Sequence, residues 1–351
     1  MKDLLTPRER FGLLVMDEPQ DRCPVFPLLT AAAARLTGAN LRDYYTDGIV
    51  MARCQLQAQE RFGTDFISLF SEVGIVAEAL GSRFEYPEDE LPVLSRPRWR
   101  ELPDGSEPLA GIINPMRDGR LPVYWAAARC AYEARADTVP ILAYIPAPFT
   151  TAQQLVDPET FLLGLVERPD DVKRLLEFVT RSVITFCRAM IDAGALPILV
   201  DPLASGSVIS PEDYRQFALP YEQAVIRFLH RYDLDVILHI CGDTTAPIEL
   251  MADSGADLLS IDRIGLAEAI AKVGDRCRII GNLDTTGLWL GTPQEVADDV
   301  GRMTAIGKAC PKGFVAATGC EVPIETPAEN IRAFVTAARE AGANHHFAKT
   351  G

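Results

Sequence analysis

Residues 235–286 read DVILHICGDTTAPIELMADSGADLLSIDRIGLAEAIAKVGDRCRIIGNLDTT. Three short apolar runs, DVILHICGD, DLLSIDR and RIIGNLDTT, alternate here with helical patterns. Each is rich in Val, Ile and Leu and shows little two-residue alternation, as expected of parallel strands covered on both faces. The rhythm continues outward in TVPILAYIPAPFT from 138, LPILVDPLAS from 196 and FVAATGCEVP from 314. CPVFPLL at 23–29 and TDFISLF at 64–70 supply two more runs. Eight such strands with helices between them predict one α/β domain over 1–351, a single (β/α)8 TIM barrel.

The helices carry repeated start signals. Ser210-Pro211-Glu212-Asp213, Thr292-Pro293-Gln294-Glu295 and Thr326-Pro327-Ala328-Glu329 share one form. A hydroxyl N-cap precedes proline at the first helical position and an acid at the third. Gly194, Gly255 and Gly342 mark helix ends. Residues 1–62 read as a mostly helical N-terminal extension that plugs the barrel or widens its rim. The stretch 85–120 is rich in proline and charge and reads as a long insertion near the barrel mouth. The tail 343–351 reads as loose.

Composition limits the function classes. At 48% hydrophobic and 24% charged, the chain has enough apolar content for a large core. A net charge of -15 argues against a nucleic-acid or anionic-membrane surface. No apolar run is long enough to span a bilayer, and the N-terminus lacks a signal-peptide pattern. The eight cysteines are scattered, which speaks against a disulfide framework and for a reduced, cytoplasmic setting.

In such a barrel the C-terminal ends of the strands build the active site. Those ends carry Asp201 and Ser205, His239 and Cys241, Asp262, Asn282 and Asp284, and Cys320. Taken singly, each polar residue reads equally as a turn former or helix cap. His239-Ile240-Cys241 is sharper, because residues two apart on a strand point the same way. With Cys320 from a later strand end, one imidazole and two thiolates hold a zinc ion and leave one position open. His230, late in a helix, and His345-His346 in the tail are poorer ligands, and the remaining cysteines read as structural. Phosphate-binding, dinucleotide-binding, nucleophile-elbow and H-E-x-x-H motifs are absent.

These residues carry a resemblance. The landmarks are FGTDFISLF with EALG at 62–81, ILVDPLASGSVISPEDYRQFALPY at 198–221, LHICGD at 238–243, LLSID at 258–262, IIGNLDTTGLWLGTPQEV at 279–296 and ATGCEVPIETPAENI at 317–331. Over nearly its whole length the chain resembles the uroporphyrinogen decarboxylase superfamily, and within it the zinc-dependent methylcobamide:thiol methyltransferases, such as the methylcobamide:coenzyme M enzymes. The resemblance implies His239, Cys241 and Cys320 as zinc ligands. Around them the strand-end residues Asp201, Ser205, Asp262, Asn282 and Asp284 are expected to line the pocket or orient those ligands; Glu78, in EALG, reads equally as a pocket residue or a helix-face residue.

The resemblance further implies that a zinc-activated thiolate attacks the methyl group of a methyl-Co(III) corrinoid. The D-x-H-x-x-G pattern of corrinoid-carrying modules is missing, so the methylcobamide is expected on a partner corrinoid protein. The reverse direction, from a small methylated donor to the corrinoid, stays open, as does homocysteine as acceptor. So does a non-catalytic corrinoid- or thiol-binding regulator. The decarboxylase branch fits less well. Its arginine-rich stretch after the first strand is replaced by LLTAAAARLTG, where Arg35 stands alone.

Overall fold

The computed structural model of the chain describes residues 3–104 and 109–347. In chain order the strands are β1 (Val25–Phe26), β2 (Ile67–Leu69), β3 (Arg83–Glu85), β4 (Val93–Arg96), β5 (Ile141–Pro146), β6 (Leu196–Val200), β7 (Ile237–His239), β8 (Leu258–Ser260), β9 (Arg278–Leu283) and β10 (Phe314–Thr318). All eight anticipated runs contain a strand of one parallel sheet, in the order β1-β10-β9-β8-β7-β6-β5-β2. Its two ends meet at Asp65. The backbone N–H of Asp65 donates to Val25 O at 2.9 Å, and its carboxylate accepts from Val25 N at 2.7 Å. The sheet curls into the (β/α)8 TIM barrel.

Pleat alternation sorts the side chains. On β6, Ile198 and Val200 enter the barrel with Tyr144, Ile237, Ile280 and Val315, whereas Leu199 joins the layer beneath the helices. The helix Pro7–Val15 stoppers the lower end. Thr6 and Glu9 form a capping box at its start. Its Phe11 and Leu14 join the interior cluster, and the Phe11 ring meets Phe66 edge-on at 5.1 Å. Each such buried side chain stabilises by about 1.5–3 kcal/mol.

Four expectations need revision. Within residues 1–62 the helix Pro7–Val15 plugs the lower end and β1 is the strand expected there, but the helix Gly48–Phe62 neither plugs nor rims the barrel: it packs on the outer wall against the helix Leu121–Arg135. The stretch 85–120 is not all loop, since β3 and β4 form an antiparallel hairpin. Its residues are mostly exposed and polar, so no buried face advertised them; residues 105–108 lie outside those described. The tail is pinned as far as it is described. Ala343 is buried and bridged to Arg22, and Asn344 N donates to Asp21 O at 2.8 Å; residues 348–351 fall outside the description. Finally, the capping boxes at Ser210 and Thr292 form, but at the third site Pro327 is the N-cap and Thr326 Oγ1 has no partner. No helix among the described residues is long and apolar enough to cross a membrane.

Candidate metal centre

β7 delivers the first ligand. Ile237 faces the barrel interior and Leu238 the helices, so His239 follows Ile237 inward at the mouth, and Ile240 turns back into the helix layer. Cys241 therefore emerges on the same side as His239. Gly242 then turns the chain at φ +77°, where an added Cβ would lie 2.6 Å from Ser205 Oγ and 2.9 Å from Ser207 Oγ. Only glycine fits that turn without strain. From β10, Gly319 brings up Cys320; a Cβ on Gly319 would lie 2.6 Å from Asp262 Oδ1. The ligand atoms of His239, Cys241 and Cys320 all fall within 4.8 Å of one another. They form the one such cluster among the described residues.

The surroundings orient the three groups. His239 is 6% exposed, and its Nδ1 lies 2.9 Å from Ser260 Oγ on the neighbouring strand, which leaves Nε2 for a metal. Asp262 accepts from Gly242 N at 2.7 Å and abuts Gly319, so one carboxylate braces both ligand loops. The hydroxyl of Thr318 donates to Cys320 O at 2.7 Å and accepts from Leu28 N at 3.1 Å. A hydrogen bond from the Cys320 thiol holds the Cys241 sulfur below the usual thiol range, against its burial. The same contact, with burial, pushes Cys320 well above that range.

These residues fit zinc. Tetrahedral Zn–N and Zn–S bonds place one nitrogen and two sulfurs roughly 3.6–3.8 Å apart. That spacing lies within the 4.8 Å limit of the cluster. One imidazole with a fixed ring and two neighbouring sulfurs suit a borderline-soft cation.

The other anticipated residues divide. Ser205 lies behind the Cys241 loop, its Oγ accepting from Ser207 N at 3.2 Å. Asp262 braces that loop. Glu78 pairs with Arg120 at 3.0 Å, at the mouth end of β2. Asp201 does not line the mouth. It follows the outward alternation of Leu199, is fully buried, and accepts from Thr150 N at 2.9 Å and Thr150 Oγ1 at 2.6 Å. Asn282 also turns aside, donating to Asp262 O at 2.8 Å and Ile264 O at 2.7 Å. Asp284 is an exposed N-cap that accepts from Gly287 N.

Several residues at the mouth escaped the strand-end reading: Ser260, Glu321, Tyr45, Glu72 and Arg120. Ser260 and Glu321 sit inside the quoted LLSID and GCEVP segments, so neighbourhood to the ligands was the available signal. Tyr45 lies in the helix Leu41–Thr46 and Arg120 in the turn before the helix Leu121–Arg135, both far off in sequence, and nothing local marks them. A groove of about 1090 Å³ opens at the opposite end of the barrel, lined by Leu5, Gly12, Met16 and Phe347 among others. The ligand cluster lies at the mouth, and this groove has no part in it.

The uroporphyrinogen decarboxylase (URO-D) pattern matches residues 6–341. The chain belongs to the URO-D family. Within that family it is similar to the methylcobamide:CoM methyltransferase MtbA of Methanosarcina acetivorans, 26% identical over 341 residues, which cover 95% of this chain and 98% of the relative. It is also similar to the uroporphyrinogen decarboxylase of Psychromonas ingrahamii, 28% identical over 358 residues, covering 96% and 98%. Overall identity therefore does not separate the two activities. A solved methyltransferase from Methanosarcina mazei shares the fold, with a TM-score of 0.84 at 24% identity over 96% of this chain and 99% of that one.

Proposed function

We propose that this URO-D family member is a zinc-dependent corrinoid methyltransferase. A small thiol would occupy the open position beside His239, Cys241 and Cys320 and take a methyl group from a methylcobamide carried by a separate corrinoid protein. The convergence of those three ligands at the barrel mouth carries the reading. The name of the Methanosarcina acetivorans relative supports it.

Bound there, zinc would supply a Lewis acid that keeps a substrate sulfur ionised near neutral pH. The chain's own residues prepare the position. Ser260 fixes the His239 ring, and Asp262 binds the Cys241 loop at Gly242 N and packs against Gly319 before Cys320. Phe70 and Tyr144, ring centroids 5.1 Å apart, are buried in the barrel interior and keep water from the floor below. In the transfer, the substrate sulfur bonds to the methyl carbon as the carbon–cobalt bond breaks, and that bond's electron pair stays on cobalt. Holding sulfur and methyl in line supplies much of the rate of such a two-substrate reaction.

Decarboxylation of a polycarboxylate draws less support. Arg35, the arginine after β1, is 41% exposed and already divided between Asp89 and Glu325.

Metal analysis tests the proposal. The purified chain is expected to hold near-stoichiometric zinc, and His239→Ala and Cys320→Ala are expected to lose it. Zinc retained by both variants would overturn the site. Thiol-dependent demethylation of methylcobalamin, followed by absorbance, tests the reaction; no thiol-dependent change would overturn the transfer.

A further inference from the structure

Arg120 lies beside the mouth end of β2 with its donors committed. It bonds Glu78 at 3.0 Å, Glu72 at 2.6 Å, Ser71 Oγ at 3.0 Å and Tyr45 O at 2.7 Å. Its guanidinium also stacks 4.0 Å from the Tyr86 ring centroid. Two carboxylates thus share one cation. Glu321, next to Cys320, adds a third acid. It accepts from Thr30 Oγ1 at 2.6 Å and lies within electrostatic reach of His239, Glu72 and Tyr45. Burial, with Glu78 and Glu321 nearby, pushes Glu72 up to about 7 against the pull of Arg120.

Between these acids lies an unanswered polar atom. Tyr45 is fully buried, and its hydroxyl has no hydrogen-bond partner among the described residues. Tyr144, 2% exposed and in reach of both Glu321 and Cys320, has Ser68 beside it but no hydrogen bond in good geometry. Buried hydroxyls are normally satisfied, and a ligand's donor or acceptor would satisfy these. Arg263 near the Cys241 loop is exposed on the rim, where solvent and salt screen it.

We propose that the thiol received beside the metal ligands is neutral or cationic, and that Glu72, Glu78 and Glu321 select against thiols with an anionic tail. The selection rests on the thiol reading above. A sulfonate or carboxylate tail would enter a group of acids whose one inner guanidinium is already shared. A hydroxyl or ammonium tail instead meets the Tyr45 hydroxyl and those same carboxylates.

The test uses the whole chain loaded with cobalt(II), whose visible bands change when sulfur enters its coordination sphere. Three thiols of equal length are titrated: cysteamine, 2-sulfanylethanol and 2-sulfanylethanesulfonate, each Kd corrected for the thiol's own ionisation. The neutral and cationic thiols are expected to bind at least about tenfold tighter than the sulfonate. Glu72→Gln should free Arg120 and raise sulfonate affinity, and Tyr45→Phe should weaken 2-sulfanylethanol and cysteamine but not the sulfonate. If Glu72→Gln fails to take up cobalt, Glu78→Gln asks the same question of Arg120. A sulfonate that binds the native chain as tightly as the neutral thiol overturns the selection. If no thiol alters the bands of the bound cobalt, the thiol reading itself fails and the selection falls with it.

Discussion

Ser260 shows how much of the proposed metal site depends on a residue that is not one of its ligands. Its hydroxyl sits 2.9 Å from His239 Nδ1 and sets which ring nitrogen faces Cys241 and Cys320. Loss of such a partner typically lowers metal affinity about 10–100-fold. Ser260→Ala is therefore expected to weaken zinc binding by that order in competition with a chromogenic chelator, with the fold intact. Unchanged affinity would show that packing alone orients the ring. The cluster of His239, Cys241 and Cys320 was legible, because His-x-Cys spacing on a strand and a Gly-Cys at another strand end are local patterns. Ser260 was not, since its value depends on parallel register with β7, which puts it directly beside His239.

At the scale of elements, β6 shows where strand-end reasoning goes astray. Asp201 was expected at the mouth, yet the pleat sends it outward to Thr150, with Glu222 of the helix Leu219–His230 as its other neighbour. Glu222 in turn accepts from Tyr214 Oη at 2.5 Å. Burial raises both carboxyl groups, Asp201 to about 6 against the Thr150 bonds, and Glu222 well above its ordinary range with Asp201 adding to the rise. A raised carboxyl means the folded chain retains a proton that the unfolded chain releases. Between the ordinary carboxylate range and pH 6 and above, this pair therefore makes stability fall as pH rises. Glu222→Gln keeps the hydrogen bonds and removes the burden. Denaturant unfolding at pH 4.5 and pH 7 should show the variant gaining on the native chain at the higher pH. An equal difference at both would contradict the shared-proton account.

The whole barrel is tied at its lower end. Arg10, fully buried, reaches Asp21 at 2.7 Å and Asp65 at 2.6 Å; Arg22 also reaches Asp65 at 2.6 Å. Asp65 thus joins the stopper helix to the seam between β1 and β2. Removing one partner of a buried ion pair typically costs about 3–5 kcal/mol. Asp65→Ala is expected to lose that much in equilibrium unfolding; a loss under about 1 kcal/mol would mean the seam holds without it. Burial works against ionisation of Asp3 and Asp21, but their bonds to Arg22 and Arg10 outweigh it and hold both below the usual range. Their contribution is present above the ordinary carboxylate range and is lost as pH falls through their lowered values.

By itself, the sequence determined the eight barrel strands, two of the three helix caps of one form, and the His239, Cys241 and Cys320 cluster proposed above to hold a metal. Each is written in spacing between near neighbours: apolar runs, a hydroxyl–proline–acid box, residues two apart on a strand. Tertiary structure alone decided the rest. It made Asp201 a buried outward group, closed the seam through Asp65, set Ser260 beside His239, and gathered Tyr45, Glu72, Arg120 and Glu321 at one mouth. Those placements depend on strand register and on contacts between segments tens to hundreds of residues apart, which no local pattern encodes.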